Sequence, residues 1–141
     1  MSYAPDPDVV LRSVIATIED EIEPATRGEH AASLCRTAAQ MLRQVVARLD
    51  TELPVLLDDA ADLSTVLTEL GLPVEQPPTA RWPDIAAARA HLAGLEQRLA
   101  DVVATERAEN APARVAARAF VSRRLRRRLP WERDAYTGPR R

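Results

Sequence analysis

Apolar residues recur three and four positions apart in five successive stretches of this chain, and proline or glycine punctuates the gaps between them. Such spacing gathers side chains on one face of a helix but scatters them over both faces of a strand, so helices are expected throughout. The stretches run over 11–22, 31–49, 56–70, 85–102 and 115–129. Asp6-Pro7 reads as the N-cap and first-turn proline of the first helix, and Pro24 as its stop. Thr26 and Glu29 suit a capping box for the second helix, whose stripe is Ala31, Leu34, Cys35, Ala38, Met41, Leu42, Val45 and Leu49. Pro54 opens the third helix, and Gly71 with Pro73 ends it. The aperiodic stretch 72–81 carries three prolines and reads as a loop. The fourth helix opens after Trp82 with Pro83 and Asp84 in its first turn. Pro130 is expected to end the fifth and leave WERDAYTGPRR as an irregular tail.

Composition narrows the fold further. The chain holds 25 Ala and 16 Leu but 4 Gly, which favours helix and leaves few positions for the positive φ of tight hairpins. At 141 residues it fits one domain with a real core. The expected fold is all-α, a four-helix bundle with a fifth, basic C-terminal helix. Ile85, Ala88, Leu92, Leu95, Leu99 and Val102 form the cleanest seam, suited to packing at about +20°. A two-chain bundle with that fourth helix at the interface is the rival architecture.

Charge divides the chain unevenly. From Pro112 to Arg141 there are 10 Arg against Glu132 and Asp134; residues 1–111 hold 9 Arg against 19 Asp and Glu. The expected organisation is therefore an acidic helical bundle over 1–111 and a basic amphipathic helix and tail over 112–141, packed on the same domain. With Val121 at 0° on a helical wheel, Leu125 falls near 40°, Leu129 near 80° and Arg123, Arg124, Arg126, Arg127 and Arg128 between about 140° and 340°. That arginine face could bind nucleic-acid phosphates, lie on an anionic membrane, or meet acidic groups of this chain or of a partner. The acidity of the remaining chain argues against nucleic acid. The third use is preferred, with the aliphatic stripe capping the bundle and the arginines on Glu19 to Glu23, Asp58, Asp59 and Asp62.

Glu19, Asp20, Glu21 and Glu23 end the first helix, where carboxylates oppose the macrodipole, so this cluster breaks a local rule. It forms one expected interaction patch; Arg123, Arg124, Arg126, Arg127 and Arg128 form the other. An alternative is a small ligand- or metal-binding bundle enzyme using Glu19, Glu23 and His30. Against it, neither His30 nor His91 has a glutamate three residues upstream, as di-metal bundles require, and two histidines fall short of a three-histidine zinc site. Phosphate-cradling glycine loops and the nucleophile-elbow motif are missing from the sequence. Cys35 is the single cysteine and reads as a small core residue. No catalytic residue, cofactor or metal is therefore assigned.

The segment MSYAPDPDVV lacks the basic and apolar regions of a secretory signal, and no apolar run nears the ~18 residues of a membrane span, so a cytoplasmic location is expected.

The segments VLRSVIATIEDEIEPAT, HAASLCRTAAQMLRQVVARLDTELP and RRLRRRLPWERDAYTG resemble those of small all-helical bacterial proteins of unknown function, typically encoded beside aminoglycoside-phosphotransferase-like kinases and acyl-CoA dehydrogenases. The resemblance implies an accessory role beside acyl-CoA or kinase metabolism and brings no catalytic residues with it. The expected function is a non-catalytic accessory or regulatory protein acting through a protein partner or as a homodimer.

Overall fold

A computed structural model of the protein describes residues 5–77 and 84–135, with the backbone alone at 132–135. The described residues fold into helices and their connections, without strands. We number them α1 (Pro7–Thr17), α2 (Glu29–Leu49), α3 (Glu52–Glu69), α4 (Ile85–Thr105) and α5 (Pro112–Ala135). Trp82 and Pro83, expected to introduce the fourth helix, lie outside the described residues, as does the end of the tail.

Two compact units divide the chain: Met1–Thr51 with Leu129–Arg141, and Glu52–Arg128. The change in charge falls instead at residue 111, so compactness and charge partition the chain differently.

In the first unit α1 starts at Pro7 as expected, but Pro24 does not stop it. The helix widens into a π segment, Ile18–Ile22, and closes with one further turn, Glu23–Ala25. Proline lacks the N–H for a bond to the carbonyl four residues back, and its ring crowds that carbonyl at Asp20. The π segment lies across that position, where a wider turn relieves the clash. The capping box does not form either. Thr26 Oγ1 donates back to the carbonyl of Ile22 at 2.6 Å, and Gly28 is the N-cap of α2 with φ +99°, a region few side chains tolerate.

Ile15, Ala39 and Val46 form the buried centre of this unit, flanked by Leu11, Ile18 and Leu42. The expected α2 stripe is thus only half used. The face turned to α1 lies about 100° round the helix from Leu34, and Leu34, Met41, Val45 and Leu49 are exposed, Met41 by 62%. Cys35 is half-buried.

The second unit holds the larger core. Leu56, Ala60, Leu63, Val66 and Leu67 of α3 meet Ala88, Leu92, Leu95 and Leu99 of α4 and Phe120 of α5. The α4 seam therefore meets a partner helix of the same chain. Glu52 begins α3, so Pro54 falls in its first turn, where the missing N–H has no intrahelical acceptor to lose. Gly71 ends it at φ +73°: its N–H donates to Thr68 O and that of Leu72 to Leu67 O, both at 2.9 Å, the paired bonds of a Schellman closure. Asp84 caps α4, accepting from Ala86 N at 3.0 Å.

Pro130 lies inside α5, which continues to Ala135. The next residue anchors the turn: Trp131 donates to Thr51 Oγ1 at 2.7 Å, and Arg48 lies 5.3 Å from its ring centroid.

Candidate functional site

The face that α5 turns to α3 and α4 is set by a strict four–three spacing. Ala117 and Phe120, which pack on the α3–α4 core, continue the line of the buried Ala113, and Arg124 and Arg127 extend it. Each arginine beyond the apolar turns on that side meets an acid of the second unit. Asp59 of α3, fully buried at 0% exposure, accepts from Arg127 Nε at 2.6 Å and from Arg128 Nη2 at 2.9 Å, with Arg124 Nε 3.7 Å away. Arg123 grips Asp62 with both prongs, Nε to Oδ2 at 2.9 Å and Nη2 to Oδ1 at 2.7 Å. Arg127 Nη2 reaches Asp62 Oδ2 at 2.8 Å, and Arg124 Nη1 pairs with Glu96 of α4 at 2.5 Å. Rising numbers on α5 meet falling numbers on α3, so the two helices run antiparallel. Forked guanidinium–carboxylate geometry is the strong form of such pairs.

These contacts set the electrostatics. Hydrogen bonds from Arg123 hold the Asp62 carboxyl below its ordinary range, outweighing the burial that opposes them. Burial works against the Arg127 charge, but bonds to Asp62 and Asp59 outweigh it and raise the guanidinium. Arg123 is raised by its bond to Asp62. Neither arginine loses its charge at any pH the fold meets. For Asp62 the folded value lies below the unfolded one, so its contribution is present above about pH 4 and is lost as pH falls through the depressed folded value. Asp62→Asn should therefore flatten the acid limb of a stability–pH curve measured by urea unfolding between pH 2 and 6; an unchanged limb would count against the pair.

This arrangement corrects the expected orientation of α5, in which the aliphatic stripe caps a core. Instead Arg123, Arg124, Arg127 and Arg128 are half-buried, and Val115, Val121, Leu125 and Leu129 are exposed, Leu125 by 58%. Arg126 is the one of the five that points outward. Leu125→Asp should then change unfolding free energy by no more than about 0.5 kcal/mol, as exposed positions do. A loss above about 2 kcal/mol in a denaturant melt would mean that this side chain is packed.

The acidic patch is paired elsewhere. Glu19 forms a two-pronged pair with Arg43 of α2, both contacts at 2.5 Å. Glu23 and Glu29 share Arg36, at 2.9 and 2.6 Å. Those two bonds, Glu23 first, raise the Arg36 guanidinium. Asp20, Glu21 and Asp58 are exposed. Of the acids expected to receive the α5 arginines, Asp59 and Asp62 do so. Glu19 of the π segment and Glu23 of the turn after it pair with arginines of α2 instead.

The trio Glu19, Glu23 and His30 is not gathered around one point: the two carboxylates serve different arginines, and His30 is exposed in the first turn of α2. Among the described residues no three of His, Cys, Asp and Glu are placed to hold a metal ion. His91 lines a mainly apolar cleft of about 240 Å³ with Leu56, Ala60, Ala87 and Ala88. A second buried acid, Glu52, pairs with Arg89 at 2.6 Å. Among the described residues no helix is long and apolar enough to cross a membrane.

No family model, curated protein or solved structure matches the chain.

Proposed function

We propose that the protein is a non-catalytic accessory or regulatory subunit that acts by holding another protein. The observation that carries this reading is the inversion of α5: four of the five arginines in its basic run contact carboxylates of the same unit, while large aliphatic side chains stay outside. Arginines committed to Asp59, Asp62 and Glu96 are poorly placed to neutralise phosphates, on which nucleic-acid affinity rests. Exposed aliphatic patches on a small protein are characteristic of partner surfaces. The proposed architecture for that role is the four-helix bundle with a fifth, basic helix, and the proposed location is the cytoplasm. The resemblance to proteins encoded beside kinase-like and acyl-CoA enzymes supports those enzymes as the first partners to consider.

Affinity co-purification from the source cells at low salt, followed by mass spectrometry, tests the reading. A stoichiometric protein partner is the expected outcome. A protein recovered alone, or with nucleic acid that salt strips away, would contradict it.

A further inference from the structure

Burying arginines while leaving leucine outside reverses the ordinary sorting of an amphipathic helix, and a broken local rule calls for a compensating use. The inward side of α5 is engaged by Phe120 in the apolar core and by the ion pairs to Asp59, Asp62 and Glu96. Those contacts select which side of the helix faces outward, and a side presented in a preferred orientation costs less to dock on. That side runs from Arg118 through Val121 and Ser122 to Leu125 and Arg126, all exposed. Arg118 donates to the carbonyl of Glu109 at 2.7 Å, a neutral acceptor that leaves its charge in place. The strip is about 12 Å long, two aliphatic anchors four residues apart with a cation at either end.

We propose that this outer strip of α5 docks an acidic amphipathic helix of a partner protein, a step that rests on the protein-contact reading above. Val121 and Leu125 supply the anchors of helix-on-helix recognition, and Arg118 and Arg126 pair with carboxylates flanking the partner's apolar stripe. A second copy is disfavoured as occupant, because the same strip turned on itself sets arginine against arginine. An anionic lipid surface is disfavoured too. An interfacial helix needs its basic face free for headgroups and its aromatic residues toward the acyl chains. Here the basic face lies on Asp59 and Asp62, and Phe120 is 2% exposed.

The test places a photo-reactive benzoylphenylalanine at Ser122 of the full chain in its source cells, and the adducts are sequenced by mass spectrometry. One protein adduct is expected, on a segment rich in Glu and Asp with apolar residues three and four apart. Leu125→Asp and Arg126→Glu should each lower its yield about tenfold, as loss of an anchor does. Unfolding measured on both variants separates lost docking from lost structure. Adducts confined to lipid, to a second copy or to a segment without that acidic pattern would overturn the proposal, as would no adduct at all. A partner that co-purifies equally with wild type and with Leu125→Asp would leave the protein-contact reading standing and remove this strip from it.

Discussion

Replacing Asp59 with Ala should cost about 3 kcal/mol of unfolding free energy, the low end of the loss incurred when one partner of a buried ion pair is removed. The low end applies because Arg124, Arg127 and Arg128 keep roughly a quarter of their side-chain surface in water and recover some hydration. Against a total of about 5–15 kcal/mol for a domain, that loss is large. The loss should come from stranded arginines rather than from a missing attraction. A variant with Asp59, Arg127 and Arg128 all changed to Leu is thus expected to recover most of it. Urea midpoints for the wild type, the single and the triple variant decide the matter. A triple variant as unstable as the single one would locate the cost in packing instead.

Phe120→Ala should be at least as damaging, at about 4 kcal/mol. Among the described residues of the second unit Phe120 is the buried aromatic, and it is the point where α5 enters the α3–α4 core. Its removal leaves a large void that neighbouring Ala116 and Ala117 are too small to fill. Loss of this anchor should also loosen the pairs one turn on, so amide exchange at Arg123 to Arg128 is expected to rise together with the fall in stability. Exchange that stays slow would mean that the ion pairs hold the helix unaided.

Helix positions and most of the core are legible from the spacing of apolar residues. Leu63, Leu67, Leu92 and Leu95 lie where the 3,4 pattern puts them, and Gly71 closes α3 as its sequence context suggests. Prolines mislead because their effect depends on what absorbs the missing bond. Pro24 is accommodated by a π segment and Pro130 by a helix whose next turn Trp131 fixes.

The face of α5 is harder to read for a subtler reason. Val121, Leu125 and Leu129 are spaced four and four, so they drift about 40° per step round the helix and make no straight line. The straight line is Ala113, Ala117, Phe120, Arg124 and Arg127, and its charged second half disguises it. Asp59 is hidden in the same way. It stands four residues before Leu63 and seven before Val66, on the buried side of α3, where hydropathy alone marks it as surface. Tracing the spacing through the charged positions, instead of stopping at them, brings the two halves of the cluster onto facing sides.

A double-mutant cycle with Asp59→Asn and Arg127→Met, read by urea unfolding at pH 7, tests the inward arginine face most directly. The two substitutions keep side-chain size and remove the charges. A coupling of about 1.5 kcal/mol or more is predicted, within the range for residues that share a buried network. A coupling below about 0.3 kcal/mol, the level at which distant sites simply add, would mean that the two side chains do not meet, and the inward orientation of α5 would be contradicted.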